Sequence, residues 1–344
     1  LWRSHNHAKR PERSYRRSPN FRRLLCCCKF DDRPCTRDIR SSASVACGAR
    51  NMSLLDDPDA PMRGLSSRQM AFYRFSRNPL ALIGAFIVLS VALAAIFAPL
   101  LAPSPESAGA FVDFRNRHVA PSWDHLMGTD NVGRDVLTRV IFGYRVSLML
   151  VVGVLGVAVP FGIVLGLMAG YFGRWTETII MRFTDVMLAL PPLVMALAIT
   201  AVLSPNLVNA MIAITLLWWT WHTRLIYRIV KGQMNEDYVE AARVAGASHA
   251  HILFRELLPN CFSAIAVKIS LDAGFVILFG ASLSFLGLGI QPPTPDLGTM
   301  VATGSEYMPE MWWQAVMPGL AILYAILGFN LLGDGLRDML DVEL

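Results

Sequence analysis

The residues able to do chemistry are few and poorly assembled. His249 and His251 stand two apart, so on a helix they face different sides and cannot share a metal as an i, i+4 pair would. His118 and His125 lie in a polar stretch with Asp113 and Asp124; the two readings are a metal site and ordinary solvated loop histidines, and the second is preferred. No Walker A pattern is present, so the chain is not expected to bind ATP itself. Neither a catalytic centre, a metal site nor a bound cofactor is expected. Two ionisable pairs are more informative. Lys268 and Asp272 are i, i+4 inside a long apolar run, where charge has to face protein or water. They are either an internal structural couple or the lining of a solute path. Arg182 and Asp185, i, i+3, are expected to fix helix position.

The elements that must carry these residues are membrane spans. Of 344 residues 54% are hydrophobic and 17% charged, with mean hydropathy +0.43, too apolar and too little charged for an ordinary soluble domain. The excess is gathered into six runs near 79–102, 146–169, 180–203, 207–227, 261–287 and 315–333, each about long enough to cross the roughly 30 Å hydrocarbon layer. Disorder, a collagen-like fibre and a disulfide mini-scaffold are excluded. Gly153, Gly156, Gly162, Gly166 and Gly170 invite close helix approach in lipid. Pro160, Pro191-Pro192 and Pro318 interrupt runs and serve as hinges or only as shape. Trp218, Trp219 and Trp221 lie too deep for an interfacial belt and read as packing or path lining, whereas Trp312 and Trp313 sit where an outer belt would.

Charge sets orientation. Arg63, Arg68, Arg74 and Arg77 precede the first run, Arg174 lies between the second and third, and Arg224, Arg228, Lys231, Arg243 and Arg255 lie between the fourth and fifth. The other side holds Arg115, Arg117, Arg134, Arg139 and Arg145, so the positive-inside rule puts both termini in the cytoplasm. Residues 1–51 stand apart: they carry 13 Lys/Arg against 4 Asp/Glu and five of the six cysteines. No motif organises that basic Cys-containing segment for targeting or nucleic acid, and it reads as upstream sequence joined to a chain starting at Met52. The organisation expected is a cytoplasmic N-terminus and first span over 52–104, an external segment over 105–145 and a five-helix core over 146–344.

Within that core, residues 232–260 are too long for a turn. Asp237 followed by Glu240 suggests a helix start, Gly246 a stop, Ser248 a second cap and Pro259 a second stop, giving a stiff elbow of two short helices. Ile252, Leu253, Leu257 and Leu258 would give it apolar contacts, with Arg243 and Glu256 left for polar ones. Such a shape either inserts into a groove on another protein or packs under its own bundle.

Glu240-Ala241-Ala242, Gly246 six residues after the Glu, and Leu258-Pro259 resemble the EAA loop of binding-protein-dependent ABC importer permeases. Gly128-Thr129-Asp130 with Gly133-Arg134-Asp135 is similar to the GTDxxGRD segment of the dipeptide, oligopeptide and nickel branch, in its second permease subunit. Leu283 to Gly289 followed by Pro292-Pro293-Thr294-Pro295, and the ending Gly333-Asp334-Gly335-Leu336-Arg337-Asp338, are similar to segments of the same branch. The resemblance runs from about residue 70 to the C-terminus. Departures are Glu256 where an Ile is frequent, Leu297 where Trp is usual and Gly280 where an acidic residue is common.

The resemblance implies an all-α membrane protein, a six-helix bundle of the type I importer permease kind with cytoplasmic coupling helices. It implies a multi-pass subunit of a bacterial inner membrane that moves di- or oligopeptides or a related solute, nickel complexes included. Partners implied are a homologous permease subunit, two cytoplasmic ATPase subunits and an extracytoplasmic solute-binding protein, with membrane lipid around and no nucleic acid. Glu240, Ala241, Ala242, Gly246, Leu258 and Pro259 would meet the ATPase. The competing classes are a stand-alone secondary carrier, for which no repeat between halves is evident, and a membrane docking protein without transport.

Overall fold

A computed structural model describes residue 73 and residues 75–340. The expectations for residues 1–51, for Met52, and for Arg63, Arg68 and Arg74 lie outside the described residues. The elements are helices: α1 (Pro79–Ile96), α2 (Val136–Phe172), α3 (Arg174–Ala189), α4 (Pro192–Val202), α5 (Leu207–Gln233), α6 (Asp237–Val244), α7 (His249–Phe285), α8 (Leu297–Ser305) and α9 (Trp313–Leu340), with short helical turns between α1 and α2. Among the described residues no strand forms, and only Thr129 and Asp135 share an isolated antiparallel bridge.

Side chains define where helices start. Asn78 accepts from the amides of Leu80 and Ala81 at 3.0 and 3.3 Å, with Pro79 in the first turn. Asp135, Asn206 and Asp296 do the same for Thr138, Asn209 and Thr299, at 2.7, 2.8 and 3.0 Å. Each carboxylate or amide satisfies a donor that the helix leaves open.

Packing gives two slabs. α2 lies most extensively on α5, and α9 on α1 and α7. In the first slab a Cβ on Gly162 would stand 2.6 Å from the His222 Cβ, one on Gly166 2.7 Å from the Ile226 Cβ and one on Gly170 2.7 Å from Val230. Every fourth residue of α2 is thus a groove for a ridge of α5. Gly153 meets Met211 in the same seam, but Gly156 faces open space and takes no part. In the second slab the carboxyl-terminal motif is a packing device: a Cβ on Gly335 would meet the Ala81 Cβ at 2.3 Å, and Asn78 Nδ2 donates to Asp338 across the same crossing at 2.8 Å.

The structure adds detail to the expected runs. Among the described residues four helices (α1, α2, α7, α9) are long and apolar enough to cross a membrane, or five if α3 and α4 form one span. The run at 180–203 is not straight: it bends by 86° after Ala189, because Pro191 and Pro192 deny the donors and the backbone angles that would continue α3. Pro160 and Pro318, by contrast, sit inside unbroken helices. The second run begins ten residues before its apolar part, giving α2 37 residues and a length of about 55 Å. The run at 207–227 belongs to α5, whose mixed Trp, Thr, His and Arg content keeps it out of the count made on apolarity.

Candidate functional site

The elbow at 232–260 is built partly as its sequence suggests. α6 begins without a side-chain cap, at Glu236, so the Asp237/Glu240 box does not form. Its end is a well-formed glycine stop: Gly246 takes φ +78°, its amide donates to the Arg243 carbonyl, and the Ala247 amide donates to the Ala242 carbonyl, both at 3.0 Å. Those two bonds define a Schellman turn, which favours glycine because only glycine enters the left-handed region without strain. Ser248 then caps the next helix by accepting from the His251 amide at 3.3 Å.

Pro259 does not end that helix. The chain passes through one wide π turn, Ile252–Leu257, and runs on to Phe285, so the second arm is the near end of the same helix that carries Lys268 and Asp272. The wider turn relieves the clash between the proline ring and the preceding turn. Asn260 Nδ2 donates to the Glu256 carbonyl at 2.9 Å, satisfying an acceptor there.

The two arms present different surfaces. Ile252, Leu253 and Leu257 are buried under the bundle, and Leu258 packs beside them, so the second arm spends its apolar residues internally. Arg243 lies over the Tyr171 ring and Glu256 stands 3.5 Å from His251, while Arg243 stays exposed and Glu256 half-exposed. On α6, Val239 is buried and Ala242 packs against the core, while Glu240, Ala241, Val244 and Ala245 are exposed, Val244 at 84%. With exposed Asp237, one turn before Ala241 and two before Val244, they form one outward face of three apolar residues and two carboxylates.

Deep in the bundle, Lys268 and Asp272 form an ion pair at 2.5 Å on α7. The other Asp272 oxygen approaches His222 Nε2 of α5 to 3.3 Å without a hydrogen bond's geometry. Asp272 is 1% exposed, His222 fully buried and Lys268 26% exposed. Sequence reading missed His222; its place four residues before Ile226, on the face of α5 turned to the α2 glycines, was the available signal. Trp218 and Trp219 are buried beside it, Trp218 edge-on to Trp221 and Phe279 and Trp219 stacked on Phe183, which settles them as packing residues within the chain. Asp185 pairs with Arg224 of α5, not with Arg182, so α3 is tied to its neighbour across a bundle crossing.

The Gly128–Asp135 motif is a clamp. Asp130 accepts from the amides of Val132 and Arg134 and from Arg134 Nε, at 3.0, 2.8 and 2.7 Å. Asp135 caps α2 and lies 3.2 Å from His125 Nδ1. Thr129 accepts from the Val119 amide, donates to the Asn116 carbonyl, and its own carbonyl accepts from Trp313 Nε1. Trp313 is therefore buried and only Trp312 is exposed, against the expectation of a paired belt. Gly133 has φ +83° and a Cβ there would fall 1.8 Å from the Asp113 carbonyl oxygen; Gly128 is similarly confined, by Trp313. His118 is held by Gln314 at 2.8 Å against Tyr307, and burial together with Arg117 keeps its imidazole below the ordinary range. Among the described residues no three metal-binding side chains gather. The Leu283 to Gly289 motif also ends a helix by a glycine stop, Gly287 and Leu288 donating back to Ser284 and Leu283. Just beyond it burial pushes the Asp296 carboxyl above the usual carboxylate range.

Residues 162–343 match the family model described as the binding-protein-dependent transport system inner membrane component. Residues 66–121 match the N-terminal TM domain of oligopeptide transport permease C. The chain is 40% identical over 287 residues to the dipeptide transport system permease protein DppC of Alkalihalophilus pseudofirmus, covering 83% of this chain and 93% of that protein. It is 43% identical over 276 residues to the di/tripeptide transport system permease protein DppC of Pseudomonas aeruginosa, covering 78% and 90%. To the probable D,D-dipeptide transport system permease protein DdpC of Escherichia coli it is 40% identical over 264 residues, covering 77% and 88%.

Proposed function

The chain belongs to the family of binding-protein-dependent transport system inner membrane components, and from that premise we propose that it works as the permease subunit of an ATP-driven peptide importer. It is a multi-pass membrane subunit and moves solute without catalysing a reaction. The resemblance supports a homologous permease beside it, two ATPase subunits on the cytoplasmic side and a solute-binding protein outside. On this reading α1, α2, the bent α3–α4 pair, α5, α7 and α9 make six spans with both termini cytoplasmic, and the Arg-rich ends of α3, α5 and α7 support that orientation.

The observation that carries the reading is the outward stripe Glu240, Ala241, Val244 and Ala245 on a helix held by a rigid glycine stop. A face of small apolar residues flanked by the Asp237 and Glu240 carboxylates on a short projecting helix suits a groove on a partner. Gly246, Leu258 and Pro259 set its angle and root it in α7. Asp130, Arg134 and Asp135, with Gly128, Thr129 and Gly133, shape the outer surface over which a binding protein would deliver solute. Lys268, the half-buried member of its pair, lines the path, and Asp272 holds it from behind.

The test is site-directed cross-linking in the assembled transporter. A cysteine at Val244 is expected to cross-link to an ATPase subunit, and uptake in liposomes is expected to need that subunit and ATP. Solute flux from this chain alone would overturn the proposal in favour of a secondary carrier. Cross-linking to the ATPase with replaceable spans would favour a docking protein.

A further inference from the structure

An elbow that receives force has to pass it on, and its grip on the rest of the bundle is localised. Tyr171 is the penultimate residue of α2, with a buried ring. Its hydroxyl shares a 2.7 Å hydrogen bond with His249 Nδ1, and the two rings stand edge to face at 5.6 Å. The neighbouring Phe172 ring also meets His249, at 6.0 Å, and stands 5.1 Å from Tyr171. The Arg243 guanidinium lies over the same Tyr171 ring, 5.6 Å from its centre.

His249 opens the second arm, Arg243 is the penultimate residue of the first, and the turn at Gly246 lies between them. One side chain of α2 is therefore held by both arms at once. If the angle at Gly246 changed, Arg243 and His249 could not both keep their places on a single rigid ring. A buried tyrosine ring moves little, since two torsions and close packing define it.

We propose that Tyr171 is the positioning residue that fixes the angle of the elbow and links it to the second span, so that displacement of α6 moves α2 together with α7. The proposal rests on the coupling role given to the elbow above. Tyr171 touches no solute and no nucleotide; it acts through the geometry of Arg243 and His249.

The experiment measures peptide delivered per ATP hydrolysed in the complete reconstituted transporter, with Val244→Cys cross-linking to the ATPase as a second readout. Tyr171→Phe keeps the ring and removes the hydrogen bond, and is expected to lower the ratio about fivefold, the factor that one hydrogen bond of ordinary worth represents. Arg243→Gln removes the cation from the ring and is expected to lower it by a similar factor. His249→Gln, which retains a hydrogen-bonding partner for the hydroxyl, is expected to hold the ratio closer to that of the unmodified protein than His249→Ala does. Cross-linking from position 244 should persist in all of them. An unchanged ratio with intact cross-linking overturns the clasp while leaving the docking role standing. Loss of protein with an unchanged ratio in the remainder also overturns it, because Tyr171 would then serve folding alone. Absence of the cross-link in the unmodified protein overturns the docking role itself.

Discussion

Gly246 offers a clean separation of backbone strain from packing. Its φ is +78°, and a Cβ built there meets nothing within 4 Å. A substitution therefore adds no clash, and its whole effect comes from forcing an L-residue into the left-handed region. That costs about 1 kcal/mol for alanine and about 2 kcal/mol for a β-branched residue, with asparagine the most tolerant. At 1.4 kcal/mol per decade, Gly246→Val lowers the population of the native turn about 30-fold, Gly246→Ala about fivefold and Gly246→Asn less. The loss falls on the two bonds that close the turn, Gly246 N to Arg243 O and Ala247 N to Ala242 O, and not on the buried core. Thermal stability of the whole subunit should therefore move little. The assay is solute uptake against ATP hydrolysis in reconstituted transporter across the series, and transport per ATP should fall in the order Asn, Ala, Val. A valine variant that couples as well as the parent would refute a rigid elbow.

Asp272 is buried between Lys268 and His222, so Asp272→Ala leaves the Lys268 ammonium uncompensated in the bundle and is expected to cost about 3 kcal/mol, read as loss of monodisperse subunit after extraction. The double variant Lys268→Met with Asp272→Leu should recover most of that loss while still impairing uptake. Gly133→Ala combines φ +83° with a methyl 1.8 Å from the Asp113 carbonyl oxygen. It should destabilise this clamp by about 3 kcal/mol, seen as new protease cleavage within residues 105–135. Because burial raises the Asp296 carboxyl above its ordinary 3.8, the folded protein favours the protonated form: stability from this group is full below that value and is lost as pH rises through the raised one. Asp296→Asn keeps a capping acceptor for the Thr299 amide, so it should raise the melting temperature at pH 7.5, and the gain should vanish as the pH approaches 4.

What the sequence made legible were features that depend on residues close together. Apolar runs located α1, α2, α7 and α9, Gly246 and Ser248 marked a stop and a start, and three of the six glycines of α2 found partners four residues apart along α5. Long-range geometry was illegible. Nothing local tells that Asp185 turns to Arg224 rather than to Arg182, or that Trp313 is drawn inward by the Thr129 carbonyl. Pro191-Pro192 and Pro259 are all helix breakers, yet the doubled proline, extended at Pro191, goes with an 86° bend and the single one with only a π turn. Surroundings add to this: Leu257 and Cys261 are fully buried on either side of Pro259 and hold the helix on course, whereas Leu190 and Pro191 are exposed.

The distribution of contacts also says where the bundle yields. α2 and α5 are joined through glycine grooves, as are α1 and α9, and both unions are too close-fitting to slide. Within the spans the slabs meet at His222 and Asp272, at Trp218 and Phe279, and where Tyr144 donates to the Ala321 carbonyl. His222 Nε2, Asp272 Oδ2 and Trp218 Nε1 are buried there without hydrogen-bond partners. A seam whose polar groups are incompletely satisfied gives up less on opening than a fully bonded one, and regains hydration if water enters. The elbow reaches both sides of this seam, through the unbroken α7 on one and Tyr171 of α2 on the other. On the proposed function, a partner that binds α6 more tightly in one setting of the seam than in the other shifts the bundle by that difference in affinity and by no more.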